Sequence, residues 1–116
     1  MTIPPNYSKN VTIADFMKLK FRNSAWTTET QINSLLYDVD FSELMPVVEE
    51  LSMAGAIVTI KSYREHSECR IFDPVSGVQV DQASPKMITA VYQAVSEFLN
   101  LIQKTEELKT RYYGKD

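Results

Sequence analysis

The most regular apolar pattern lies near the C-terminal end of the chain. Apolar residues recur there every three or four positions, at Ile88, Val91, Val95, Phe98 and Ile102, with Met87, Ala94 and Leu101 beside them. Ser84 and Pro85 stand before the pattern, and a serine followed by a proline is typical of a helix start. The sequence therefore predicts a long amphipathic helix that begins at this pair and runs through Leu108, with Val95 facing the core.

A second apolar pattern, FSELMPVVEELSMAGAIVTI, covers residues 41–60 and changes its period partway. Its first part has helical spacing, and the shared face carries Leu44, Val48 and Leu51. Pro46 falls in or just after the first turn of this helix, where a missing backbone N–H costs little. Gly55 is expected to end the helix, because glycine adopts the left-handed backbone conformation without a steric penalty.

The residues after Gly55 predict a small antiparallel sheet. AIVTIKSY is rich in β-branched residues and alternates between two faces, with Ile57, Thr59 and Lys61 on one and Val58 and Ile60 on the other. CRIF and VQV predict two further short strands, and the turn-forming sequences REHSE and DPVSG separate the three. Connections this short make neighbouring strands antiparallel.

The N-terminal third of the chain is less regular. TIADFMKLKF predicts a short helix over Thr12–Lys20, capped by Thr12, and the polar, proline-containing residues 1–10 predict an extended arm. Residues 24–40 fit a strand and a loop equally well. The single tryptophan, Trp26, is expected to pack over the core, with a binding role as the alternative.

Together these patterns predict one α+β domain over residues 1–116. The expected order is an extended arm over 1–10, an N-terminal helix and an irregular segment over 11–40, and an α-β-β-(β)-α core over 41–110. In that core, two main helices cover an antiparallel sheet of three to four strands.

Composition and charge narrow the function classes. The net charge of −3 argues against nucleic acid as a general partner, since such proteins usually carry a basic face. With one cysteine, Cys69, the chain has no intrachain disulfide to form, which fits a reducing compartment. No apolar run approaches a membrane span, and the N-terminus does not have the pattern of a signal peptide. The expected location is the cytoplasm of whatever cell makes the protein, away from membranes.

Several of these segments also resemble a known protein family. LMPVVEEL over Leu44–Leu51, AVYQAVSEF over Ala90–Phe98 and IADFMKLK over Ile13–Lys20 are similar to the phage ABA sandwich family, small proteins of phages and prophages. The resemblance implies an α/β sandwich and a mobile-element origin. It implies no reaction, and the matching positions are those predicted to pack in the core.

The sequence offers few residues suited to catalysis or metal binding. His66 and Cys69 form an H-x-x-C pair, but zinc needs four nitrogen or sulfur ligands and the chain has one of each. In a strand, a spacing of three residues places two side chains on opposite faces, which disfavours a Cys–His catalytic pair. We therefore predict no enzyme activity, no cofactor and no metal site.

One group of residues is a candidate binding surface. Tyr63, Arg64 and Arg70 lie near the predicted hairpin, with Lys61 close by, and would suit an anionic ligand or partner. The alternative is an ordinary exposed hairpin. The leading functional hypothesis is a non-enzymatic protein-interaction module of phage or prophage type, which binds a host protein, a phage protein or a second copy of itself in host takeover or counter-defence. The second is a protein that binds or sequesters an anionic, nucleotide-like small ligand.

Overall fold

A three-stranded antiparallel sheet organises the fold, in the strand order β1-β2-β3. The computed structural model describes residues 7–20 and 41–113. The elements in chain order are α1 Tyr7–Lys20, α2 Phe41–Met53, β1 Ile57–Ser62, β2 Ser67–Phe72, β3 Gln79–Ser84, α3 Met87–Ile102 and α4 Glu106–Tyr113. The predicted α+β class, with an antiparallel sheet covered by two main helices, is confirmed.

The described helices pack in layers on one face of the sheet. Helix α3 contacts β2 and β3, α2 contacts β1, and α1 packs against α3. The inner sheet face is accordingly apolar, and Cys69, Ile71 and Val80 are buried there. Val48 and Val95, the two residues expected to face the core, are 6% and 0% exposed. Within the described residues, no helix covers the opposite face, which we call the outer face.

Helix α2 ends as the glycine predicts. The N–H of Gly55 donates to the carbonyl of Ser52, and the N–H of Ala56 donates to the carbonyl of Leu51. This is the Schellman arrangement, and it requires the positive φ of 118° found at Gly55. Pro46 is the sixth residue of α2, just beyond the first turn, and the helix continues through it. The turn at Gly55 then directs the chain into β1.

Helix α1 begins earlier than predicted, at Tyr7 instead of Thr12. Residues 7–10 therefore belong to this helix, and the extended arm assigned to residues 1–10 is wrong for them. A tertiary hydrogen bond explains the extension: the hydroxyl of Tyr92 on α3 donates to Oδ1 of Asn10 at 3.0 Å, in a buried position. Capping signals alone do not reveal a contact between residues so distant in sequence. The expectations for Trp26 and for residues 24–40 lie outside the described residues.

The predicted long C-terminal helix is two helices. The first, α3, starts at Met87 with Lys86 as its N-cap and ends at Ile102. The predicted start at Ser84 and Pro85 is wrong, because β3 continues to Ser84. The N–H of Lys104 donates to Leu101 and that of Thr105 donates to Ile102, so the last turn tightens before α4 begins. The break allows α4 to fold back, and its Tyr112 and Tyr113 are buried, so the core extends past residue 110.

Candidate functional site

The outer face of the sheet carries a surface groove. It has a volume of about 370 Å³, and its lining includes Thr59 and Lys61 from β1, Glu68 and Arg70 from β2, and Asp81 and Ala83 from β3. Strand register brings these side chains together, since Thr59, Arg70 and Asp81 are neighbours across the sheet and Lys61, Glu68 and Ala83 form the next row. We call this feature the outer-face groove.

Charges of both signs line the outer-face groove. Nε of Arg70 donates to Oδ1 of Asp81 at 2.7 Å, and Nε2 of Gln79 donates to Oδ2 of Asp81 at 2.7 Å. These hydrogen bonds lower the pKa of Asp81, and the same carboxylate raises the pKa of Arg70. Because Arg70 is paired with a carboxylate and Glu68 adds a second one, the groove is not a cationic pocket.

The turn between β1 and β2 holds the other predicted binding residues. The N–H of Tyr63 donates to the carbonyl of His66 at 2.8 Å, and the two rings stack with centroids 4.7 Å apart and planes 13° apart. His66 Nε2 also lies 3.2 Å from Oε2 of Glu68. Arg64 is exposed, and no described residue forms an ion pair with it.

The structure does not bring all three predicted binding residues together. Tyr63 and Arg64 are adjacent in the turn, whereas Arg70 lies opposite Thr59. Thr59 is four residues from Tyr63 along β1, which corresponds to about 13 Å. Arg70 is on β2, the second strand of the hairpin, and its side chain contributes to the outer-face groove, where it is paired with Asp81.

The single cysteine is set apart from the single histidine, as the three-residue spacing predicts. Cys69 is 1% exposed and lies on the inner face, next to Ile60. His66 instead contacts Glu68, which lines the outer-face groove. Burial, and to a smaller degree the charge of Asp81, raise the pKa of the thiol to about 11. Cys69 is therefore a protonated core residue at neutral pH, and thiolate chemistry is not available to it.

The most strongly connected polar group in the described residues is the carboxylate of Asp73, in the turn between β2 and β3. Both oxygens accept from Nη1 of Arg111, at 2.9 and 2.8 Å, and Oδ1 accepts from the hydroxyl of Tyr112 at 3.1 Å. Oδ2 accepts from the N–H and the hydroxyl of Ser76, at 3.1 and 2.5 Å. Asp73 thus joins its own turn to α4. The sequence indicated the turn, through the Asp-Pro pair, but not the partners on α4.

Neither a metal-binding cluster nor a membrane-spanning helix is present among the described residues. No group of three or more histidine, cysteine, aspartate or glutamate residues is arranged to hold a metal ion there. None of the described helices has the length and apolar character needed to span a bilayer.

Comparisons with known proteins leave the family open. No protein-family model, no curated protein and no solved structure matches this chain. The similarity to the phage ABA sandwich family therefore stays a prediction that depends on the three segments quoted above.

Proposed function

We propose that this protein is a non-enzymatic interaction module of phage or prophage type, which binds a protein of the bacterial host or of the phage through the outer face of its sheet. The observation that carries the proposal is the composition of that face. It combines a groove lined by charges of both signs with two large exposed side chains, Ile57 at 52% and Tyr63 at 49% exposure. A mixed polar and apolar surface of this kind suits another protein surface better than a small anion.

The chemistry of the described residues supports binding over catalysis. The one cysteine is buried and protonated, and the one histidine is on the other side of β2. A nucleophile needs a base within hydrogen-bond distance, and the carboxylates of the outer-face groove are already in contact with Arg70 and His66. Host takeover or counter-defence is the role we assign to such binding.

Capture from a bacterial lysate with two matched variants tests this proposal. Ala83→Arg places a long side chain in the outer-face groove, and Thr110→Arg makes the same kind of change on the exposed side of α4. We expect a captured protein to be lost with Ala83→Arg and kept with Thr110→Arg, while both variants unfold at the temperature of the parent. Equal capture by both variants would contradict binding through the outer face.

A second candidate function is suggested by Arg64. This cation has no described carboxylate partner and lies next to the stacked Tyr63 and His66 rings, an arrangement suited to an anionic, nucleotide-like ligand. A thermal-shift series with nucleotides tests it, because a ligand that binds the folded state raises the melting temperature. We expect any such shift to disappear in Arg64→Ala, and the absence of a shift with every nucleotide would reject this function.

A further inference from the structure

The two edges of the sheet differ in how well they are protected from further pairing. The N–H of Tyr63 donates to His66, and the residues of an antiparallel strand alternate in the direction of their backbone groups. The N–H and carbonyl groups of Val58, Ile60 and Ser62 therefore point away from β2. No backbone hydrogen bond from the described residues reaches these groups. As far as residues 7–20 and 41–113 are concerned, the edge of β1 that faces away from β2 is therefore open to another strand.

Natural edge strands usually carry features that block pairing, such as prolines, bulges and several charges. β1 is six residues long, pairs with β2 in an unbroken register and has one charged side chain, Lys61. β3 is more polar, with Asp81 among its residues, and Gln82 at its centre donates a hydrogen bond to Glu97 on α3. Of the two edges, β1 is therefore the one suited to accept a strand.

We propose that β1 binds β1 of a second copy of this chain, antiparallel and about a two-fold axis through Ile60, which joins two sheets into one of six strands. The inference goes beyond the proposed function, because it concerns the edge of the same sheet and a second copy of the chain instead of the outer face and a host or phage protein. In this register, Ile60 pairs with Ile60 of the second copy, and Val58 pairs with its Ser62. All the outward-pointing backbone groups of β1 are then paired, with two hydrogen bonds at each such pair.

The side chains of β1 are self-complementary in this register. Ile57 and Tyr63 are two of the exposed large apolar residues, and each is three positions from Ile60. Because they are six positions apart, their side chains lie on the same face of the sheet. The two-fold axis places each Ile57 opposite Tyr63 of the other copy. Cross-strand pairs of an aromatic and a β-branched residue stabilise antiparallel sheets. This symmetric spacing is the reason for choosing a second copy over an unrelated strand.

The charges of the sheet also agree with self-pairing. Lys61 lies opposite Thr59 of the second copy, so no two like charges are directly opposite at the new junction. Within each copy, Lys61 keeps Glu68 as its cross-strand neighbour, and Arg70 keeps Asp81. The symmetry makes every contact occur twice, as an isologous interface requires. One pair of short edge strands buries less than about 1,200 Å², which is typical of a reversible dimer.

Charge variants at Thr59 test the pairing in two directions. Thr59→Glu would face Lys61 of the second copy, and Thr59→Lys would place two lysines opposite each other. By sedimentation of the purified chain, from about 10 µM to about 1 mM, we expect a concentration-dependent dimer. Its dissociation constant should fall about 3- to 30-fold in Thr59→Glu and rise by a similar factor in Thr59→Lys. Ala83→Glu and Ala83→Lys, on β3, are the matched controls and should leave it unchanged.

Hydrogen exchange of individual amides provides a second, independent readout. The amides of Val58, Ile60 and Ser62 should exchange rapidly in dilute protein and slow down as the dimer forms, whereas that of Thr59 should be protected at every concentration. Slow exchange of the first three in dilute monomer would show that the chain already covers this edge, and would overturn the inference.

Two further outcomes would also overturn it. One is a chain that stays monomeric across the concentration range, and the other is a dimer that responds to the Ala83 variants and not to the Thr59 variants. Either result leaves the lysate capture with Ala83→Arg and Thr110→Arg as a separate test of the proposed function. Failure of that capture alongside a Thr59-dependent dimer would instead reject the host or phage partner and retain the second copy.

Discussion

Two arginine–aspartate pairs in this molecule have nearly the same length and very different surroundings. Arg70 and Asp81, on the outer face, are 2.7 Å apart, with 58% and 54% of their side chains exposed. Arg111 and Asp73 are 2.8 Å apart, but their side chains are 25% and 1% exposed. The comparison indicates that burial, and the hydrogen bonds that accompany it, decide which pair supports the fold and which is a solvent-exposed surface contact.

The surroundings of Asp73 explain why a carboxylate is tolerated there. Burial would raise its pKa, but hydrogen bonds from Ser76, Arg111 and Tyr112 outweigh that effect, so the pKa lies below the ordinary value. Asp81 also has a lowered pKa, because of Arg70 and then Gln79, but it remains open to water and salt. The same chemical pair is a structural connection in one place and a surface feature in the other.

The largest expected effect comes from removing the buried carboxylate. In Asp73→Ala, the Tyr112 hydroxyl loses its acceptor and the turn loses the bonds from Ser76. Arg111 loses the nearer and more buried of its two carboxylate partners and keeps Glu107 at 3.7 Å. We expect the free energy of unfolding to fall by about 2–4 kcal/mol. Urea denaturation measures this change, with the slope of the transition used to confirm that both proteins unfold in the same way.

The matched variant is Asp81→Ala. It removes an aspartate from the same kind of pair on the exposed face, and we expect a much smaller shift of the urea midpoint than in Asp73→Ala. Equal losses of unfolding free energy in Asp73→Ala and Asp81→Ala would show that burial does not determine how much each pair stabilises the fold, and would contradict the comparison.

The pH dependence of stability tests the comparison further, because the pKa of Asp73 is lowered in the folded protein. The pKa of this carboxyl is lower in the folded protein than its ordinary value of 3.8 in the unfolded chain. The ionised carboxylate therefore contributes its full stabilisation at pH values above 3.8. That contribution is lost as the pH falls through the pKa of the folded state. We expect Asp73→Asn to be less stable than the parent at pH 7, and we expect the difference to shrink below about pH 4. Urea midpoints from pH 7 to pH 2 measure it. A constant difference across that range would contradict this assignment.

A smaller effect is expected from Tyr112→Phe. The variant keeps the ring, which packs edge-on against Phe98, and removes only the hydroxyl that donates to Asp73. Burial and the neighbouring carboxylate raise the pKa of this tyrosine, so the hydroxyl is a donor throughout the neutral range. We expect a loss of about 1 kcal/mol in the free energy of unfolding. Tyr63→Phe, at an exposed position, is the control and should unfold as the parent does.

The same contrast explains how much of the fold could be predicted from the sequence. Local signals were sufficient for the end of α2, because the conformation at Gly55 depends on the glycine itself and on its nearest neighbours. They were also sufficient for the alternation of β1, where the period of two directly reports which face is buried. Long-range contacts were not predictable in this way. The start of α1 depends on the bond from Tyr92 to Asn10.

The candidate site shows the same difference between local signals, which the sequence reveals, and long-range contacts, which it does not. The sequence located Tyr63 and Arg64 together in a turn, since they are adjacent, and it placed Arg70 with them because the hairpin is short. It gave no sign that Asp81 would neutralise Arg70, because that depends on the pairing register of β2 and β3. A search for opposite charges at matching distances from the DPVSG turn would have found this pair, since Arg70 and Asp81 are cross-strand partners on either side of it.

The smallest effect concerns the exposed pair itself. In a double-mutant cycle of Arg70→Ala and Asp81→Ala, we expect a small favourable coupling at low salt, because the two charges are in direct contact. At 1 M salt the screening length is about 3 Å, so the coupling should disappear. Urea midpoints of the four proteins at both salt concentrations give the result. Coupling that persists at high salt would mean that water and ions do not reach this pair, and the outer face would then not be the open surface that the proposed binding requires.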